Sequence, residues 1–419
     1  MNVARLVVVV TFTFSGAVKL NDPLGTAYKL QDYAQAFGLQ ALMQGVTPVV
    51  LSVVLAMLEF SVGIYLLFGI RRRRTSILAL AFMLAFTPLT LYLAVANPVR
   101  DCGCFGDALV LTNWQTFWKN VVLLAAAILL VCKTRLMTRL ITERHQWTVS
   151  LCTWAFSLIF AGMSLYGLPP IDFLPYRIGV NLREKLAERD AAQGQTKTYF
   201  IMEKNGERRE FATEDYPDST WTYIDTRVEG TQSSAESPYA DFCMQTADGE
   251  DLTGEVMQDT SYVFLLLSPY LEQADDGVLD IITSAYDYAQ EHGYRFYCLT
   301  SSGRETIATW QEMTGAEYPF LFTDGIVLKT MIRSNPGLML LHDGRITGKW
   351  PSTGMPDLTE EVRPLEQTEW GALEGPSRME RLLTILFRYV LPLLACTLAD
   401  RLWVAWKLRK RHKPNTNSK

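Results

Sequence analysis

Apolar residues run almost unbroken over 3–20, 47–70, 75–96, 114–133, 147–168 and 382–406. A bilayer-spanning helix needs roughly 20 mostly apolar residues, so each run predicts a membrane helix. The opening MNVARLVVVVTFTFSGA also has the basic start, apolar stretch and small residues of a cleaved signal peptide, an alternative that concerns residues 1–18 only. After the first run, KLNDPLGTAYKLQDYAQAFGL (19–39) breaks at Pro23 and Gly25, then sets Leu30, Tyr33, Ala34 and Phe37 at helical spacing. That spacing predicts an amphipathic helix lying on the membrane surface. Lys19 and Asp22, at the break, read as helix-end caps.

Between the fifth and sixth runs the period changes. NLREKLAERDAAQGQTK (181–197) is charged and helix-prone without a strong apolar face, and reads as a spacer. TYFIMEKNGERREF (198–211) alternates around Asn-Gly and predicts a hairpin; WTYIDTRV (221–228) predicts a short strand, and QSSAESP a linker. From 239 onward strands and helices alternate. ADFCMQTADGEDL reads as a short strand, a turn and an edge strand. SYVFLLLS (261–268) and YRFYCLTSS read as buried strands around the amphipathic helix 276–293, and RETIATWQEMTG as a helix. FLFTD, the helix IVLKTMIRS and a closing hairpin turning at Asp343-Gly344 complete the order. Such alternation predicts a sheet covered by helices.

Charge then separates the two parts. Residues 170–379 carry 17 Lys/Arg against 36 Asp/Glu, whereas the remainder carries 22 against 8. An acidic block repels phosphate backbones, which excludes nucleic acid as a partner and leaves the lipid bilayer as the environment of the apolar runs. The cations concentrate at RRRR (71–74), KTRLMTRLITERH (133–145) and KLRKRHK (407–413). Under the positive-inside rule all three face the cytoplasm. The loops 20–46 and 97–113 and the acidic block then lie outside it, in an oxidising compartment.

Two features carry candidate chemistry. Glu59 lies inside VVLAMLEFSVGIYLLFGI, where a charge must be neutralised, paired or turned to a cavity. A helix-packing hydrogen bond and a proton- or ligand-binding role are both open. Arg388 and Asp400 lie near span ends and are free to snorkel. The second feature is NPVRDCGCFGDAL (97–109). A bond across Cys102-Gly103-Cys104 would be tight and easily reduced, and Gly103 and Gly106 permit an unusual backbone. Three readings follow: an exchanging redox pair, a buried glycine turn, or part of a metal site. The last lacks a nearby His, and structural zinc takes four ligands. Cys132, Cys152 and Cys396 fall in or beside apolar runs and read as packing residues; Cys243 and Cys298 fall in predicted strands.

FSGAVKLNDPLGTAYKLQDY, Glu59 and CGCFG together resemble the DoxX/MauE-type four-helix membrane module, over residues 1–135. The resemblance implies a thiol-redox or electron-transfer setting. MauE-type proteins are implicated in maturing a disulfide-rich enzyme subunit, and DoxX-type proteins in quinone or thiosulfate chemistry. Residues 239–352 resemble the thioredoxin fold in its redoxin or TlpA-like branch, with SNPGLMLLHDGRITGKW as the closing proline-strand-turn-strand. That resemblance makes Pro336 a cis-proline facing the active site. Where active members carry a cysteine, however, this chain has Ser268, Pro269, Tyr270 and Leu271, and serine does not replace a thiolate.

The expected architecture is therefore a membrane α-helical bundle: the four-helix module (1–135), a fifth helix (147–168) and a C-terminal helix (382–406). A spacer with a small β segment (170–238) leads to an extracytoplasmic α/β thioredoxin-like domain (239–352). The expected function is inner-membrane thiol–disulfide exchange through Cys102 and Cys104 on the periplasmic side. A thiol-bearing client would bind near Tyr270 and Pro336, and electrons would pass to a carrier such as a quinone near Glu59. The competing expectation is a non-enzymatic assembly factor whose thioredoxin-like domain binds a partner.

Overall fold

The computed structural model describes residues 1–99, 102–194, 197–204, 207–212, 222–229, 237–372 and 378–411. The chain forms two compact units, Met1–Phe173 with Gly375–Lys419, and Leu174–Glu374.

The first unit is helical. It contains α1 (Asn2–Asn21), α2 (Pro23–Ala36), α3 (Thr47–Phe68), α4 (Arg72–Ala96), α5 (Asn113–Cys132), α6 (Gln146–Tyr166) and the C-terminal helix Arg378–Arg411. All except α2 are long and apolar enough to span a bilayer, which makes this a multi-pass membrane protein. Local chemistry sets their ends. Pro48 opens α3 and Gly69, at φ 71°, closes it. Thr112 and Gln115 form a capping box on α5. Asp22 accepts the Gly25 N–H at 2.8 Å, so Pro23 starts α2 rather than breaking the chain into a loop. Instead of lying free on a surface, α2 buries Ala27 and Ala34 in the unit, and it stops before Phe37, which rests on Tyr92.

The helices α1 and α3 meet backbone to backbone. A Cβ at Gly16 would stand 2.4 Å from the Phe60 nitrogen, and one at Gly63 2.7 Å from the Thr13 nitrogen. Glycine is required at both because the obstacle is backbone, which cannot swing aside. At one end of the unit, Arg5 donates to the carbonyls of Leu66 and Leu67, each at 2.7 Å, and to Thr138 Oγ1. Asp400 lies at that same end. It is not a snorkelling side chain: only 3% exposed, it accepts from the Thr142 N–H at 3.1 Å and lies 2.6 Å from His145 Nδ1. The cationic turns at 71–74 and 133–145 and the late C-terminal helix thus gather at one end. The loop 97–112 and α2 occupy the other.

The second unit holds α7 (Leu182–Gly194), then β1 (Lys197–Lys204), β2 (Glu207–Ala212) and β3 (Thr222–Glu229) in a three-stranded antiparallel sheet of order β2-β1-β3. The Asn-Gly turn expected between β1 and β2 and most of the expected linker lie outside the described residues. Next come α8 (Thr253–Gln258), β4 (Tyr262–Ser268), α9 (Leu279–Glu291), β5 (Arg295–Thr300), α10 (Arg304–Thr314), β6 (Phe320–Phe322), α11 (Gly325–Met331), β7 (Gly337–His342) and β8 (Arg345–Pro351). The five later strands form one sheet of order β6-β5-β4-β7-β8, with β4, β5 and β6 parallel and β7 antiparallel to both its neighbours. Every residue of β4 is buried, as expected for a central strand covered on both faces. One face packs Phe264 and Leu266 against Ile282, Ala285 and Ala289 of α9. The β7–β8 hairpin turns at Asp343 and Gly344, both at positive φ, as its Asp-Gly pair predicts.

Two expectations are corrected here. Residues 182–194 are not a free spacer: Leu182 and Leu186 are buried, and Arg183 bonds the Met257 carbonyl at 2.6 Å. The apolar face was hidden because two leucines suffice when one guanidinium supplies the remaining docking. Cys243 lies outside any strand, since Gln245 makes only isolated bridges to Asp251 and Phe322.

The α1–α3 crossing makes a direct prediction. Gly16→Ala should lower the melting temperature of the detergent-solubilised chain, by the equivalent of about 1–3 kcal/mol of overpacking. Gly162→Ala, where an added Cβ meets nothing within 4 Å, should leave it unchanged or slightly raised. Equal effects at the two positions would contradict the close approach.

Candidate functional site

The loop 97–112 is fastened at its base and pressed onto the helix ends. Asn113, the first residue of α5, donates from Nδ2 to Asn97 Oδ1 at 2.8 Å and to the Val99 carbonyl at 3.0 Å. Gly103 and Gly106 take φ of 63° and 51°, the left-handed region that glycine enters freely. A Cβ at Gly103 would press on Lys29 of α2 and one at Gly106 on Val18 of α1. The loop therefore sits between these helices. Phe105 plugs it down, 8% exposed, edge-on to Phe14 at 5.3 Å and under the Lys119 ammonium at 4.2 Å.

These contacts fix the two thiols. Cys102 Sγ and Cys104 Sγ stand 2.7 Å apart, inside the usual contact distance of unbonded sulfurs. The carbonyls are held as well. Tyr33 donates its hydroxyl to Cys102 O at 2.6 Å, and Ser15 lies 2.7 Å from Cys104 O.

Beneath Cys104 the charges converge. Lys19 Nζ reaches both Glu59 oxygens, at 2.7 and 2.8 Å, with both side chains buried. Lys19 is thus not a helix-end cap, as its place beside the Pro23 break suggested, because the Gly16/Gly63 crossing brings it alongside Glu59. Ser15 Oγ also lies 2.7 Å from Glu59 Oε2, so one hydroxyl proton serves both the carboxylate and the thiol loop. A cavity of about 40 Å³ connects Ser15, Lys19, Glu59, Cys104, Lys119 and Asn120. It has room for water and is polar enough to hold it.

This setting divides the two sulfurs. The hydrogen bond from Cys102 lowers the Cys104 thiol to about 6; burial opposes the shift, while the Lys119 and Lys19 ammonium groups reinforce it. Cys102 is raised, because it keeps the shared proton and is itself buried. The surroundings thus favour the thiolate at Cys104 over that at Cys102. Sequence reasoning did not single out Lys119 or Ser15, and placed Tyr33 only on an amphipathic stripe. The available signal for Lys119 is the one that marked Glu59, a charge set inside an apolar run.

The remaining predicted residues come together in the second unit. The Asn335–Pro336 bond is cis, as the resemblance implied. Asn335 accepts from Ser268 Oγ at 2.7 Å and donates to the Tyr270 carbonyl at 2.7 Å, and Lys329 Nζ lies 3.1 Å from the Tyr270 hydroxyl. No thiol takes part in this cluster. Cys298 is fully buried in β5, and burial pushes its thiol up; burial raises Cys243 as well.

Two outcomes follow for the first unit. With Cys102→Ser retaining a hydroxyl donor, alkylation of reduced Cys104 should rise through a midpoint below the ordinary thiol value, because the thiolate forms as pH climbs past a lowered pKa. Lys119→Gln should move that midpoint upward, and a midpoint near the ordinary thiol value of about 8.5 in the Lys119-containing protein would contradict the site. Glu59→Ala should destabilise the chain by roughly 3–5 kcal/mol through an uncompensated buried Lys19. Lys19→Met combined with Glu59→Leu should cost much less, as thermal unfolding in detergent would show.

Residues 1–133 match the family model of the methylamine utilisation protein MauE, and residues 196–229 that of a domain of unknown function, DUF8463. No curated protein matches the chain. Among solved structures, a protein disulfide isomerase-like protein from Bacteroides thetaiotaomicron aligns over 27% of this chain and 76% of its own, at 14% identity and a TM-score of 0.23. The chain is therefore a multi-pass membrane protein whose first 133 residues are similar to MauE.

Proposed function

We propose that this protein oxidises cysteine pairs in client proteins outside the cytoplasm, by thiol–disulfide exchange through Cys102 and Cys104. The observation that carries the reading is the pairing of these sulfurs in contact, one favoured as thiolate and one as thiol, beside Lys119. In the oxidised pair, a client thiolate attacks Cys102. Cys104 leaves as the better-stabilised thiolate, since lower-pKa thiols leave faster. A second client thiolate attacks the client sulfur of the mixed disulfide and releases Cys102. The client gains a disulfide, and two electrons rest on the loop cysteines. To close the cycle those electrons pass to an apolar membrane carrier of quinone type. An apolar cavity of about 1240 Å³, lined in part by Phe14 and Val18, which also contact the loop, has room for one.

Sidedness follows from charge. The cationic end of the helical unit belongs in the cytoplasm, which puts the thiol loop on the periplasmic side of an inner membrane. The chain leaves that unit after α6 and re-enters it at Arg378, both at the end carrying the loop. The second unit, in this reading a thioredoxin-like domain without its own redox thiol, holds the client against Tyr270 and Pro336. The absence of a reactive thiol there also favours a second reading, a non-enzymatic assembly factor that uses only this surface.

The two readings separate by substitution. Exchange predicts that Cys102→Ser/Cys104→Ser abolishes oxidation of client thiols in cells. It also predicts that Cys104→Ser, which cannot form the loop disulfide, oxidises no client thiols and leaves Cys102 as a free thiol, as thiol labelling would show. Tyr270→Ala should weaken client capture while the loop cysteines still cycle. A fully functional double-serine variant would overturn exchange in favour of assembly.

A further inference from the structure

At the cationic end of the helical unit the arginines do more than follow a charge rule. The four at 71–74, from the α3–α4 turn, converge with Arg135 and Arg139, from the α5–α6 loop, around one concavity of about 430 Å³. Orientation by positive charge needs arginines in both segments but does not require them to share a cavity. Two are already tied down: Arg72 donates to the Met137 carbonyl, and Arg139 pairs with Glu143. Among the described residues, no carboxylate lines the cavity and none is paired with Arg71, Arg73, Arg74 or Arg135. Arg71 takes a left-handed φ of 39° at the N-cap of α4, where no side chain caps the helix. The unsatisfied N–H groups of this 25-residue helix add positive potential at the rim. Like charges gathered this closely repel one another, and an anion in the cavity relieves them.

We infer that this concavity binds the phosphate-bearing headgroup of an anionic phospholipid. Guanidinium forks match phosphate oxygens in pairs. The cavity lies at the ends of spanning helices, at the depth of lipid headgroups, where basic pockets between helices select anionic lipids. The apolar residues beside it are exposed, including Ile77 at 47% and Leu136 at 64%. They offer acyl chains a surface that a soluble phosphate cannot use, which assigns the site to a lipid.

The test uses the full chain in zwitterionic detergent micelles doped with dioleoylphosphatidylglycerol, dioleoylphosphatidylcholine or inorganic phosphate. Melting temperature and lipid retention by native mass spectrometry are the readouts. Phosphatidylglycerol should be retained about tenfold more strongly than phosphatidylcholine and should raise the melting temperature. Arg74→Lys/Arg135→Lys, which keeps the orienting charges but removes the forks, should lose most of that preference while remaining folded. Arg74→Gln/Arg135→Gln should abolish it. Equal retention of the two lipids, or an unchanged preference in both variants, would overturn the site. Protection by inorganic phosphate equal to that by phosphatidylglycerol would overturn the lipid assignment in favour of a soluble anion.

Discussion

The buried ion pair between Lys19 and Glu59 is the contact on which the helical unit and its thiol loop both depend. Two full charges inside a membrane bundle are tolerated only when geometry brings them together and leaves few hydrogen-bonding sites unmet. Here α1 and α3 approach at Gly16 and Gly63 until backbone touches backbone. That crossing sets Lys19 against both carboxylate oxygens and Ser15 against one of them. Because Ser15 also reaches the Cys104 carbonyl, the position of the loop is referred to the helix crossing below it. The same ammonium adds to the field that favours a Cys104 thiolate. Packing, charge and thiol chemistry share one small set of residues.

The second unit shows a contrasting use of similar chemistry. Its sheet presents Ser268, Tyr270 and the cis Pro336 together, cross-linked through Asn335. The backbone carbonyl of Asn335 is already taken by the Asp275 N–H at 3.0 Å. These polar groups bond one another and include no thiol. Among the described residues, the only two cysteines in side-chain contact with each other beside ammonium groups, Cys102 and Cys104, belong to the helical unit.

The bilayer-length apolar runs were legible because spanning imposes a length and an uninterrupted composition. The β7–β8 turn at Asp343-Gly344 was legible because it demands positive φ at two successive residues. The strand β4 announced itself as a continuous apolar run, since burial on both faces removes alternation. Pairing between distant residues was less visible. Glu59 stood out as a charge in an apolar run, but Lys19 lies where a helix ends, and there a capping role competes. Only the glycine crossing decides between them. Lys119, near the start of α5, resembles an interfacial anchor until the loop folds Phe105 beneath its ammonium. Tyr33 fits an apolar stripe equally well whether its hydroxyl meets water or the Cys102 carbonyl. Residues 182–194 looked like a spacer because the contribution of Arg183 depends on carbonyls some seventy residues away.

We propose that Cys102 and Cys104 form a working redox couple. Differential alkylation of the full chain in native membranes, equilibrated across a series of reduced-to-oxidised glutathione ratios, tests it most directly. The two cysteines should change state together and reversibly, as one two-electron couple, while Cys298 in β5 remains reduced throughout. Cysteines 102 and 104 that stay reduced and unreactive across the whole series would contradict it, and would leave the loop as a glycine turn packed over a buried ion pair.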